Sequence, residues 1–216
     1  MKKIIKYLIG SPRIGSSAGK TLLFIWIKND LKNIKGELGI DLAGGSMLNK
    51  RFFSTDEYVC VDIDQSKLDK GKNENSDAIS INSKIQDFMN NKDQNKPDVL
   101  LCVQTMGTNR FFEHEETLKV IKQMYYFLKP GGSMIFNVGS VNINLNHLEN
   151  QIKEILNQKF KSVNIRTYGA FHITHKNLTH RFNRLILAYL MNFFLPLRTF
   201  FGFKKRKIYF ACKNKI

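Results

Sequence analysis

Residues 37–46 read Glu37-Leu38-Gly39-Ile40-Asp41-Leu42-Ala43-Gly44-Gly45-Ser46, a short apolar strand that runs directly into a turn of small residues. Small side chains at such a junction let the backbone reverse sharply and let a ligand come close to the main chain. Twenty-one residues past Asp41, Asp62 falls near the end of a second apolar run, Tyr58 to Ile63. A carboxylate in that place can accept both hydroxyls of a ribose lying across the turn. By themselves these residues indicate a nucleoside-bearing ligand and no more.

The alternation continues on both sides. Residues 20–34 (KTLLFIWIKNDLKNI) predict a helix closed by Gly36, and a polar, Asn-rich stretch occupies 65–76. A third strand is expected over Ala78–Ile85 and a fourth over Val99–Val103, opened by Pro97-Asp98. Helical spacing covers Glu113–Leu128 and Leu145–Phe160, with strands expected at Ser133–Val138, Ser162–Tyr168 and Lys207–Cys212. Apolar strands alternating with helices indicate a mainly parallel sheet covered on both faces. In such a sheet the ligand lies beyond the carboxyl ends of the strands, where the strand order reverses. The informative residues are then those that end strands one, two and four.

A further turn, Leu128-Lys129-Pro130-Gly131-Gly132-Ser133-Met134-Ile135, precedes the fifth strand. Taken together, the Gly-containing turn, the acid closing strand two, the Asp98 opening and the Leu-Lys-Pro-Gly-Gly turn resemble the class I methyltransferases that use S-adenosylmethionine. The resemblance covers residues 36–140. It implies an α/β, Rossmann-like doubly wound sheet, mainly parallel with an antiparallel last strand, and S-adenosyl-L-methionine as cofactor. It places Asp41 and the Ala43-Gly44-Gly45 turn against the methionine part of the cofactor and Asp62 on the ribose. Ile63 would pack on the adenine, Ile85 would end strand three at the adenine edge, and Gln104 would sit beside the cofactor at the end of strand four. The chain departs from the family pattern in placing Ala43 and Met47 where the first and third glycines of the turn usually stand. It reads Ser83-Lys84-Ile85 where many members carry an acid, and Met106-Gly107-Thr108-Asn109 after strand four.

Other readings of the same residues fit less well. A dinucleotide-binding GxGxxG turn fails because Leu48 and Asn49 are not glycines, and Gly15–Thr21 fails as a phosphate-binding loop because Ile14 stands at its first position. His172 and His175 lack a nearby acid or cysteine, so no metal is expected. The widely spaced Cys60, Cys102 and Cys212 suit a reducing compartment rather than a disulfide framework. His114, in Glu113-His114-Glu115-Glu116, is the one candidate for a general base, against the reading of a solvated first helical turn.

The chain has 216 residues and a net charge of +16, and its last acidic residue is Glu154. Thirteen basic residues follow with no acid among them, a field that attracts polyanions. Within that region an apolar, aromatic stretch from Leu185 to Phe203 is flanked by Arg181, Arg184 and Lys204-Lys205-Arg206-Lys207. Cations beside an apolar segment suit an anionic membrane interface. The expected organisation is an N-terminal helical segment over 1–35 and a methyltransferase domain over 36–216, with 178–206 a basic, apolar lid or membrane-interface insertion. The expected acceptor is a small or lipid-linked molecule, with cell-envelope glycans as one class. The protein is read as cytoplasmic, with a peripheral site at the inner membrane face. An RNA methyltransferase, or a non-catalytic methyltransferase-like protein that binds membrane or a partner, is the alternative.

Overall fold

A computed structural model of the chain describes residues 18–107, 113–139, 145–168, 190 and 207–216. In chain order its elements are α1 (Ala18–Leu31), β1 (Lys35–Leu42), a 3-10 turn (Lys50–Phe52), β2 (Ser54–Asp62), α2 (Gln65–Glu74), β3 (Ile79–Asn82) and α3 (Ile85–Asn90). They are followed by β4 (Val99–Met106), α4 (His114–Phe127), β5 (Ser133–Gly139), α5 (Leu145–Leu156), β6 (Phe160–Tyr168) and β7 (Lys207–Lys215). The seven strands form one sheet in the order β3-β2-β1-β4-β5-β7-β6. Strands β3 through β5 pair in parallel, and β7 runs antiparallel to both β5 and β6. The doubly wound sheet with a reversed last strand is therefore the fold expected above.

The two-residue period of the central strands sorts the core. Along β4, Leu100 and Cys102 face a layer holding Phe88, Val120, Ile121, Met124, Leu148 and Ile152. Val99, Leu101 and Val103 face the opposite layer, where α1 contributes Leu22, Leu23, Trp26, Ile27 and Leu31. Strand β5 is buried along its whole length, as a strand covered on both faces must be. On α4 the buried Thr117, Val120, Ile121, Met124 and Phe127 recur at three- and four-residue intervals, the apolar stripe of a helix with one covered side.

Two polar clamps join distant parts of this frame. At the amino ends of the strands, Asp98 Oδ2 accepts hydrogen bonds from the N–H groups of Glu37 and Leu38 at 2.9 and 3.0 Å. Lys129, from the Leu-Lys-Pro-Gly-Gly turn, closes the same group at 3.2 Å from Asp98 and 3.1 Å from Glu37. Burial works to raise the Asp98 carboxyl, but the Leu38 N–H and Lys129 outweigh it and hold it below the usual range. The second clamp is Asp30 on α1, which takes Arg166 Nη1 at 3.0 Å, Lys213 Nζ at 3.1 Å and the Tyr209 hydroxyl at 3.0 Å. Trp26 lies beside it, edge-on to Tyr168 at 5.5 Å. The helix is thereby tied to β6 and β7.

The structure corrects the expected boundaries in two places that bear on the site. The Asn-rich stretch at 65–76 is largely helix: Asp64 caps α2 by accepting from the Lys67 N–H at 3.2 Å, and only Leu68 and Gly71 are buried along it. Strand β3 ends at Asn82, so Ile85 does not close a strand. Ile85 is the first residue of α3, where Ile85, Phe88 and Met89 bury together at helical spacing. The Gly15–Thr21 loop reading, the His172–His175 pair and the 178–206 insertion fall outside the described residues, save for part of α1 and Leu190.

Asp30→Asn keeps an acceptor for Tyr209 but strips two cations of their carboxylate. We expect the variant to lose about 1–3 kcal/mol of unfolding free energy, read from urea midpoints, since both cations are only partly exposed. A midpoint equal to the parent's would show that the clamp contributes nothing to stability.

Candidate active site

The carboxyl ends of β1, β2 and β4 meet at the point where the strand order reverses between β1 and β4. Here the backbone leaves ordinary geometry. Ala43 (φ 55°), Gly45 (φ 54°) and Met47 (φ 56°) are left-handed in the turn after β1, and Gln104 (φ 64°) is left-handed near the end of β4. Left-handed backbone costs a residue with a side chain about 1–2 kcal/mol. Strain of this kind gathers at sites where the chain is held in a required shape.

Hydrogen bonds hold that shape. The Gly44 N–H donates to the Val61 carbonyl at 3.3 Å, and the Met47 N–H to the Gly44 carbonyl at 3.1 Å. The Gly45 N–H donates to Asp62 Oδ2 at 2.9 Å, while Asp62 Oδ1 accepts from the Asp64 N–H at 2.9 Å. An ionised carboxylate offers about four lone-pair positions, so two remain for a ligand. A side chain built onto Gly45 would meet only Lys67 Cδ at 3.5 Å and Asp62 Oδ2 at 3.7 Å. A Cβ there would make only ordinary van der Waals contact, so nothing crowds the backbone in front of this glycine. Beside it, Ile63 is 63% exposed, an apolar side chain left facing outward at the end of β2. Gln104 is pinned from the neighbouring strand, its N–H donating to Asn137 Oδ1 at 2.7 Å, where the β4–β5 register shifts.

Asp41 takes a different position from the one the resemblance implies. Its carboxylate is fully buried beneath the turn rather than directed toward a ligand. It accepts from the Tyr58 hydroxyl at 2.8 Å and from Asn49 Nδ2 at 3.1 Å. A side chain on Gly44 would come within 2.6 Å of Asp41 Oδ2 and 2.7 Å of Cys60 Sγ, so the turn lies directly on this acid. Burial pushes the Asp41 carboxyl up to about 7, against the two hydrogen bonds that lower it, with the charge of Asp62 adding to the rise. Asn49 Oδ1 is buried without a partner. A protonated Asp41 could donate to that oxygen once the amide turned over.

The Met47 departure has a local cause. Met47 is buried against Tyr58, Cys60, Leu68 and Ala78. A Cβ on Gly71 of α2 would lie 2.7 Å from Met47 Cγ. The missing side chain on the helix makes room for the methionine in the turn.

His114 opens α4, on the same side of the sheet as these turns. Its Nε2 is hydrogen-bonded to Gln151 Oε1 on α5, and its ring stacks on His147 at 5.7 Å between centroids. The structure thus brings the turn residues, Asp62, Ile63 and Gln104 to one end of the sheet, buries Asp41 beneath them and leaves Ile85 in the helical layer. Tyr58, Asn49, Gly71, Asn137 and His147 are further contributors that carry no motif. They are found only by three-dimensional pairing. Among the described residues no cluster of metal-ligating groups occurs, and the three cysteines are buried and unbridged.

No family model matches the chain, and no curated protein matches it by sequence. Solved structures do match by fold. One is a protein from Streptococcus mutans described as an S-adenosylmethionine-dependent methyltransferase, with TM-score 0.59 and 9% identity over 92% of this chain. This chain spans about half of that protein, 49% of its length. An rRNA methylase from Streptococcus thermophilus aligns over 90% of this chain and 96% of its own, with TM-score 0.52 and 10% identity. Phosphoethanolamine N-methyltransferase 2 from Haemonchus contortus, in complex with S-adenosyl-L-methionine, aligns over 97% of this chain and 55% of its own, with TM-score 0.57 and 14% identity. The fold is that of the class I methyltransferases, and the three neighbours differ in what they are named for.

Asp41 supplies a pH-dependent contribution of known sign. The folded carboxyl titrates near 7 and the unfolded one near 3.8, so the native state keeps a proton that the unfolded chain gives up in between. This stabilisation is full below about pH 4 and lost as pH rises through 7. Asp41→Asn should remove it. Parent stability should then fall by on the order of 2–3 kcal/mol more than the variant's between pH 5 and pH 8, measured by urea unfolding. Identical pH profiles for the two proteins would contradict the assignment.

Proposed function

We propose that the chain is an S-adenosylmethionine-dependent methyltransferase. The observation that carries this reading is the pairing of Gly45 with Asp62: a turn N–H fixes one oxygen of a half-buried carboxylate that keeps acceptor capacity, at an uncrowded glycine and beside an exposed apolar residue. Those residue types fit a ribose with an attached adenine. Asp62 would accept the ribose hydroxyls, Ile63 would cover one face of the base, and the backbone of Ala43-Gly44-Gly45 would approach the methionine part. Asp41 would act from below, by holding the turn in its left-handed form.

When bound, the cofactor supplies an activated sulfonium methyl group, which an acceptor nucleophile displaces in line. The chain's own part is then mostly positioning, the largest contribution open to a protein when the leaving group is already activated. Gln104, locked in its backbone conformation by Asn137, lies at the end of β4, on the side of the strand-order switch away from Asp62. It would form the boundary between cofactor and acceptor.

For the acceptor, the reading is a small or lipid-linked molecule. An apolar stretch enclosed by basic clusters in a chain of +16 charge supports a peripheral contact with an anionic membrane, at the cytoplasmic face. Leu190 is helical and 47% exposed. No helix among the described residues is long and apolar enough to cross a membrane.

Calorimetric titration with S-adenosylhomocysteine tests the cofactor reading. The parent should bind in the micromolar range and Asp62→Ala should weaken binding by about tenfold or more, the loss of roughly one charge-assisted hydrogen bond. A folded parent that ignores the ligand would remove the assignment. Sedimentation with vesicles of phosphatidylglycerol and phosphatidylcholine tests the membrane contact. Leu190→Asp should reduce the bound fraction about fivefold, since a buried leucine and an added charge act in the same direction. Equal sedimentation of parent and variant would place the contact elsewhere.

A further inference from the structure

Between α4 and α5 lies a cleft of about 590 Å³, separate from the Gly45–Asp62 turn. His114 and His147 stand at its upper end, Leu118 lies in its lining, and Lys119 and Lys122 stand further along α4. Helices α4 and α5 both begin on the side of the sheet where β4 and β5 end, so their first turns border the space beyond those two strands. With the cofactor assigned to β1 and β2, the space left for an acceptor is the part over β4 and β5. The two histidines stand in those first turns.

The chemistry of the lining is one-sided. Two lysines and two imidazoles face it, against the single carboxylate of Glu115. Lys119 and Lys122 form no ion pair among the described residues, although Glu115 stands one turn before Lys119, the spacing at which such pairs form on helices. His114 Nε2 is engaged by Gln151, which fixes the orientation of the ring and leaves Nδ1 for another partner. From His114 to Lys122 is eight residues, or about 12 Å along the helix axis. That spread is too long for a single carboxylate or phosphate, and the long lysine side chains can fold back along it to meet an anion of two phosphates.

We infer that this cleft holds the phosphate groups of the acceptor, with the methyl-accepting end at the top beside Gln104 and the phosphates running down α4 past His114 and His147 to Lys119 and Lys122. The substrate class is a small or lipid-linked diphosphate. The word acceptor rests on the methyltransferase reading; the anion site itself does not.

The test is proton NMR of the histidine ring signals of the full chain at fixed pH, titrated with inorganic pyrophosphate. His114→Gln and His147→Gln identify the two signals among the five histidines. Pyrophosphate should shift both signals saturably. The double variant Lys119→Ser, Lys122→Ser should weaken that binding about tenfold and leave the affinity for S-adenosylhomocysteine within about twofold. Geranyl diphosphate as a second probe separates sources: tighter binding than pyrophosphate indicates a lipid-linked phosphate, and equal binding a water-soluble one. Signals that do not move, or shifts that persist unchanged in the double serine variant, would overturn the proposal. So would an RNA hairpin that displaces pyrophosphate from these histidines at far lower concentration, since the cleft would then be a nucleic-acid contact. Loss of S-adenosylhomocysteine binding with pyrophosphate binding intact would instead remove the cofactor reading and leave the anion site standing.

Discussion

A carboxyl group with no solvent exposure sits under the turn that ends β1, and the geometry of the candidate site depends on it. Asp41 joins the last residues of β1 to Tyr58 on β2 and to Asn49 beyond the turn. The turn above carries left-handed backbone at Ala43 and Met47, which together cost about 2–4 kcal/mol. Such a conformation persists only where the surroundings over-determine it. The buried acid, the Gly44 and Gly45 hydrogen bonds and the packing of Met47 against Gly71 supply that determination. The result is a turn with an uncrowded glycine on its outer side and a shape set before any ligand arrives.

The second consequence concerns Asp62. Its two oxygens are each held by a backbone N–H, so the carboxylate cannot rotate away, yet it retains acceptor capacity. The same pairing fixes β2 to the turn after β1. Asp64, two residues on, is drawn instead into capping α2, where hydrogen bonds from Lys67 and Ser66 hold it down at about 2. Two aspartates in one short segment thus take separate tasks, one toward the ligand space and one toward the helix. Ile63 between them is left without cover.

Much of this was legible in the amino-acid order. Apolar runs ending in Asp41 and Asp62, the small residues at 43–45, the Asp98 opening and the Lys129 turn lie where their patterns place them, because each is a local signal. The hydrogen bonds of Asp98 and Lys129 show why two of those signals belong together, which spacing cannot reveal. Helix α2 was hidden because it buries only Leu68 and Gly71 and so shows almost no apolar period. Ile85 reads as the end of a strand because one apolar residue fits either period, and only its joint burial with Phe88 and Met89 settles it as helix. The inward turn of Asp41 was also invisible: an acid at the end of a strand looks the same whether it points at a ligand or beneath the backbone. What decides is Tyr58, a residue with no motif, seventeen positions away.

The central claim is that the turn over Asp41 and the carboxylate of Asp62 form a cofactor site. A crystal structure of the protein grown with S-adenosylhomocysteine tests it directly. The account predicts the ribose hydroxyls on Asp62, the adenine against Ile63 and the amino-acid end over Ala43-Gly44-Gly45, with Asp41 still buried on Tyr58. A ligand seated elsewhere, or a turn closed over Gly45 with Asp62 directed away from it, would contradict the account.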